Sequence, residues 1–134
     1  MKKTLILLTL LFSLFVFTNT RAQEPYMLVL GTAQDGGYPH LGCEKECCNI
    51  AWENPALKRF VVSLALVIPE AGEWVLFEAT PDMADQIQYF RELTNGQFNY
   101  LPDAIFVSHA HIGHYTGLMY LGKEARGANH VSIY

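Results

Sequence analysis

The spacing of apolar positions changes several times along the chain, and each change predicts an element. Tyr26 to Gly31, YMLVLG, is a short apolar run ending in glycine, the pattern of a buried strand. TAQDGGYPHLGC follows, and Gly36, Gly37 and Pro39 make it a loop. Phe60 to Ile68, FVVSLALVI, is rich in β-branched residues and stops at Pro69. Glu70-Ala71-Gly72-Glu73 then turns the chain into Trp74 to Glu78, WVLFE, which predicts a hairpin with a four-residue loop. Thr80-Pro81-Asp82 has the make-up of a helix start: threonine to cap, proline in the first helical position, aspartate at the positive end of the dipole. Met83, Ile87, Phe90 and Leu93 recur at helical spacing and give that helix an apolar face, and Asn95-Gly96 ends it. Ala104 to Val107, AIFV, predicts the next strand. Tyr115 to Arg126 predicts a helix with Leu118, Leu121 and Ala125 on one side, Lys123 and Arg126 in its last turn and Gly127 as its stop. Val131 to Tyr134 opens another strand. The order β, ββ, α, β, α, β is that of an α/β layered domain.

The first residues belong to a different pattern. Lys2 and Lys3 precede an apolar or small-residue run of 13, Leu5 to Phe17, and Thr20-Arg21-Ala22 forms a small-x-Ala site before Gln23. That three-part arrangement predicts a secretory signal over residues 1–22, with a mature portion over 23–134. A membrane-spanning anchor fits less well, because a ~30 Å hydrocarbon core needs about 20 apolar residues. Export implies an oxidising compartment, periplasmic or extracellular, in which cysteines can pair. Without Lys2, Lys3 and Arg21, six basic residues face 13 acidic ones, and the formal charge moves from −4 to −7. An acidic domain without a basic cluster is a poor partner for nucleic acid, which leaves a small-molecule substrate as the expected partner.

SHAHIGHYT, residues 108–116, carries three of the five histidines within six positions: His109, His111 and His114. In an extended segment, residues two apart project to the same side, so His109 and His111 can aim at one point. His114 follows at the turn into the next helix. Imidazole suits zinc, whose catalytic sites keep one of four positions open and bring the pKa of bound water to about 7. The motif begins at the carboxyl end of a strand, a common place for active sites in α/β folds.

Phe106 to Leu118 resembles the metallo-β-lactamase superfamily motif, a hydrophobic strand followed by H-x-H-x-D-H and then x-x-G-L. Leu30 to Pro39 is similar to the first strand and glycine loop of that superfamily. Val75 to Asp82 is similar to a later strand leading into a T/S-P-D helix start. The order of these pieces and of the cysteine cluster resembles the branch that contains the coenzyme PQQ synthesis protein B. The resemblance implies an αββα sandwich with a metal site at its rim, of which this chain carries the N-terminal half. It implies that His109 and His111 ligate a first zinc ion and that His114 ligates a second or steers the attacking water, as the catalytic residue. Gly113 stands where the motif has aspartate, so one catalytic zinc is expected and a second site is doubtful. The superfamily's remaining ligands lie in its second half, so the expectation is that this chain alone does not complete the centre and is inactive by itself. Asp35, in the glycine loop, is a candidate to replace the missing carboxylate, although a turn-forming role ahead of Gly36-Gly37 explains it more simply. Asp82 and Glu78 are likewise read as structural.

All three cysteines fall in Gly42 to Cys48, at Cys43, Cys47 and Cys48. The branch's C-x-C-x-x-C pattern implies a structural zinc knot here, matched by Cys43 and Cys48 at its outer positions. The alternative is a disulfide from Cys43 to Cys47 or Cys48, with one thiol left over. His40 is a nearby donor or a solvated loop residue. Three functions remain open on these residues: a zinc-dependent hydrolase in which hydroxide attacks an ester, amide or phosphodiester bond; a non-hydrolytic oxidation or handling of a small quinone-like molecule; and a binding protein that has kept the fold and lost the chemistry.

Overall fold

A computed structural model describes residues 23–134, and the signal-like segment 1–22 lies outside the described residues. Five strands form one sheet in chain order: β1 (Tyr26–Gly31), β2 (Ser63–Ile68), β3 (Glu73–Phe77), β4 (Ala104–Phe106) and β5 (Ser132–Ile133). Helix α1 (Glu46–Glu53) lies between β1 and β2, α2 (Met83–Leu93) between β3 and β4, and the short α3 (Ile112–Tyr115) after β4.

Strand direction decides where the site falls. β1 and β3 each pair antiparallel with β2, so they run the same way, and β4 runs parallel to β3. The carboxyl ends of β1, β3 and β4 therefore meet at one edge of the sheet. The segments that leave them carry Asp35, Glu78 and the histidine motif.

β1 matches its predicted bounds. The hairpin loop has four residues, but it is Pro69 to Gly72, because Ile68 pairs with Glu73. Gly72 turns at φ +67°, a left-handed conformation that glycine adopts without a Cβ clash. β2 begins at Ser63, three residues later than expected, because Val61 and Val62 meet the chain after β1 instead: Val61 bridges Ala33, and the Val62 amide donates to the Ala33 carbonyl at 2.8 Å.

One face of the sheet packs beneath α2. Leu30, Ala65, Val67, Trp74, Leu76 and Ile105 from the strands meet Met83, Ile87 and Phe90 from the helix. Trp74 stacks on Phe90 at 3.9 Å between ring centroids, and its indole N–H donates to the Asn99 carbonyl at 2.9 Å. The apolar face of α2 departs from the predicted one. Leu93 is 44 % exposed, whereas Gln86 is fully buried. Gln86 accepts from the Thr80 hydroxyl and donates to the Val61 carbonyl, both at 2.6 Å, so its amide is satisfied inside the core. Thr80 accepts from the Asp82 amide at 3.1 Å, as a residue capping the first turn does. The Asp82 carboxylate does not cap. It accepts from the Val61 amide at 2.8 Å and ties the helix start to the approach to β2.

The opposite face is also apolar. Val29 lies beside Leu64 and Met27 beside Leu66; Leu66 in turn pairs with Val75 and Leu64 with Phe77. Phe77 stacks on Phe106, and Phe106 on Tyr134. Met27, Val29 and Phe106 are exposed. The described residues thus supply one sheet and one helical layer of a sandwich. None of the described helices is long and apolar enough to cross a membrane.

The helix expected over Tyr115 to Arg126 is not a continuous α-helix. α3 ends at Tyr115, a 3₁₀ stretch runs from Thr116 to Leu121, and turns follow to Gly127. Gly117 explains the tight winding. It lies so close to the Thr80 carbonyl that a Cβ would overlap it, and its amide donates to the Ala79 carbonyl at 2.8 Å. Leu118 and Leu121 pack on the core, while Ala125 is exposed.

Candidate metal centre

Three loops build the rim. After β1, the Gly37 amide donates to the Gln34 carbonyl at 2.8 Å, which closes a turn with Asp35 and Gly36 at its tip. Asp35 is therefore the turn residue expected, but the turn also brings its carboxylate to the histidines. After β3, Glu78 adopts φ +72°, a conformation that costs a non-glycine residue energy. Its amide donates to Phe106 and the Ala79 amide to His114, each at 2.9 Å, so the ends of β3 and β4 are stitched together. After β4, Ser108 and His109 lead to His111, which precedes α3, and His114 lies in that helix.

The histidines differ in setting. The side chain of His114 is 9 % exposed and that of His111 is 74 % exposed. His114 Nε2 lies 2.9 Å from Asp35 Oδ1. His114 Nδ1 lies 3.0 Å from Glu78 Oε2, yet the N–H direction misses that oxygen and leaves this buried nitrogen without a proper partner. His109 Nε2 meets His111 Nδ1 at 2.9 Å, and the Ser108 hydroxyl lies 2.8 Å from His109 Nδ1. His111 Nδ1 stands 3.7 Å from Asp35 Oδ2. The Glu78 carboxylate accepts from the Ser108 amide at 3.3 Å. The His114 hydrogen bond holds the Asp35 carboxyl below the usual carboxylate range, against a smaller opposing effect of burial, so Asp35 is ionised at neutral pH.

One donor atom each from Asp35, His109 and His114 lie within 4.8 Å of one another. A carboxylate beside imidazoles is a fitting donor set for zinc, and the buried, poorly partnered His114 ring fits a group that would draw on it. His111 reaches this cluster from the exposed side. Sequence reasoning named Asp35 as a candidate for the missing carboxylate but preferred a turn-forming part. The missed signal was Gly113: a Cβ there would stand 2.7 Å from Asp35 Cα and Cβ. Glu78 also proves to be a site residue, placed against His114 by its backbone twist.

A recess of about 380 Å³ opens beside the Asp35 loop, lined by Thr32, Gln34, Tyr38, His40 and Arg59 among others. His40 accepts from the Gln34 side chain at 2.9 Å and belongs to this loop, not to the cysteines.

The cysteines form a separate corner. Cys43 and Cys48 are joined by a disulfide, with Cα atoms 6.1 Å apart, while Cys47 is free and exposed. This differs from the zinc knot implied for all three. Their sulfur atoms nevertheless lie within 4.8 Å of one another, so reduction would leave a thiolate trio. Cys47 and Cys48 lie on α1, a helix that the sequence pattern did not predict. Cys48 and Ala51 form its short buried side.

No family model matches the chain. The coenzyme PQQ synthesis protein B of Methylorubrum populi is 29% identical over 99 residues, which are 72% of this chain and 33% of that protein. Its counterpart in Xanthomonas axonopodis pv. citri is 30% identical over 110 residues, 79% of this chain and 36% of that protein. The chain thus spans about a third of the length of the curated relatives it matches. Among solved structures, zinc-bound PqqB from Methylobacterium extorquens is similar with a TM-score of 0.58 and 27% identity, over 76% of this chain and 35% of that one. A diphosphatase from the PhnP family gives a TM-score of 0.60 and 27% identity, over 83% of this chain and 41% of that one.

Proposed function

This chain belongs to the metallo-β-lactamase superfamily, in the branch that includes PqqB, and from that premise we propose that it is part of a zinc-dependent hydrolase acting on a small anionic molecule. The observation that carries the proposal is the convergence of polar groups from three separate strand ends on one rim, with His114 buried among them. His109, His111 and His114 would hold the ion. A bound zinc ion would supply Lewis acidity and bring the pKa of water at the site to about 7. The chain's own groups set the imidazoles for that task. The Ser108 hydroxyl engages His109 Nδ1 and leaves Nε2 facing the cluster. Glu78 stands against His114 Nδ1, so that Nε2 is turned toward the rim. Arg59, in the neighbouring recess, supplies a fixed positive charge for an anionic substituent of the substrate.

Metal content and turnover test the reading. The protein purified without added metal should carry about one tightly held ion per chain at the rim. The full-length protein should hydrolyse a phosphodiester, lactone or β-lactam reporter in a manner that a chelator abolishes and zinc restores. Absence of a tightly held ion outside the cysteine corner sinks the proposal. A rim ion without hydrolysis of any reporter would favour a second reading, a non-hydrolytic role on a small quinone-like molecule, which the similarity to the PQQ synthesis proteins supports. Export is part of the same proposal. It rests on the pattern in residues 1–22, and the Cys43–Cys48 bond accords with an oxidising compartment.

A further inference from the structure

We infer that Asp35 supplies the carboxylate ligand that the H-x-H-x-D-H pattern would place at residue 113, and that Gly113 is the condition for it. The inference deepens the proposed metal site and rests on that reading. A Cβ at residue 113 would lie 2.7 Å from both Asp35 Cα and Asp35 Cβ and 2.9 Å from the Asp35 carbonyl oxygen. Real Cβ atoms do not approach so closely, so any side chain at 113 evicts the Asp35 turn. The carboxylate that faces His111 and His114 Nε2 stands either on the motif or on the loop, and here it is on the loop.

The loop is shaped to deliver it. The turn hydrogen bond from Gly37 to Gln34 holds Asp35 at the tip, and Gly36 lies so close to the His40 ring that a Cβ there would overlap it. Asp35 Oδ1 lies 2.9 Å from His114 Nε2, and Oδ2 lies 3.7 Å from His111 Nδ1, so the two oxygens face two different histidines. With His109 and His114 the carboxylate makes three donors within 4.8 Å of one another, which leaves the fourth position of a tetrahedral zinc site to His111 or to water. All three lie between residues 35 and 114.

A purely orienting Asp35 would make a different prediction, since asparagine can still accept from His114 but is a far weaker ligand. The metal-stripped chain, with its disulfide intact and Cys47→Ser to silence the cysteine corner, should be titrated with Zn²⁺ by calorimetry. Co²⁺ absorption reports the ligand field. Asp35→Asn should weaken Zn²⁺ binding by about tenfold or more. It should also change the Co²⁺ spectrum, with thermal unfolding of the metal-free form little altered. Gly113→Asp should weaken binding although it adds a carboxylate, because its side chain strikes the Cα, Cβ and carbonyl oxygen of residue 35. Asp35→Asn that binds as the unsubstituted chain does, or Gly113→Asp that binds more tightly with Asp35 in place, overturns the inference and leaves the metal site standing. No Zn²⁺ uptake by the unsubstituted chain overturns both. Should Gly113→Asp fail to fold, Asp35→Asn decides alone.

Discussion

The cysteine corner and the histidine rim each bring three metal-type donor atoms within 4.8 Å, and they do so by opposite routes. Cys43, Cys47 and Cys48 sit on one loop and the first turns of α1, so the chain places them together with no help from the sheet. The rim needs residue 35 against residue 114, a contact across 79 positions, and Glu78 between them. It exists only because β1, β3 and β4 end at the same edge. A local cluster can form in an unfolded chain, whereas a non-local one must wait for the sheet and be held by it. The rim's geometry is therefore a readout of folding, and the cysteine corner's is not.

The strongest way to break that contrast is Trp74→Ala. Removing this fully buried ring and its stack on Phe90 should cost about 3–5 kcal/mol. Chemical denaturation followed by far-UV circular dichroism measures the loss, and zinc uptake at the rim should fall with it while labelling of Cys47 stays nearly constant. Rim binding that survives in an unfolded variant would make the two clusters alike. His111→Ala comes next. Loss of a ligating imidazole should weaken rim zinc by about 100-fold, the top of the range for outer partners or beyond, and leave uptake by the reduced cysteines unchanged. Losing both together in a metal-stoichiometry measurement would show that the sites are not separate. Reduction of Cys43–Cys48 should lower stability by about 2 kcal/mol at most, because the closed loop is short. It should open one additional zinc equivalent at the thiolates without changing rim affinity, which calorimetry with and without reductant checks. The smallest effect should come from Glu78→Gln, which keeps the side-chain shape and removes the charge facing His114. A loss of about tenfold in rim affinity is expected, with the thermal midpoint little moved.

The same division explains what could be read in advance. Strand β1, the hairpin and the left-handed stop at Asn95 and Gly96 are written in neighbouring residues, and the structure has them where the pattern put them, within a residue at the hairpin. The three histidines likewise share one short segment. α1 escaped notice because it is only eight residues long and shows a narrow apolar side. Leu93 and Gln86 exchanged their expected places because a buried amide is stable only if its partners arrive from elsewhere, here from Thr80 and Val61. The helix after β4 shortened because Gly117 lies against the backbone of Ala79 and Thr80, a tertiary contact that helical spacing does not encode. Asp35 was legible as a turn residue first and as a rim carboxylate only second. Only the parallel run of β1 with β3 and β4 turns the first reading into the second.

The close approach of Gly113 to Asp35 has a further consequence for heredity. A substitution at either position meets a penalty: a new side chain at 113 strikes the loop, and the loss of Asp35 removes the carboxylate that faces His111 and His114. A paired exchange does not escape it, because the atoms struck are the Cα, Cβ and carbonyl oxygen of residue 35. Lineages that carry this rim should therefore inherit the two codons as one character, although the chain sets them far apart.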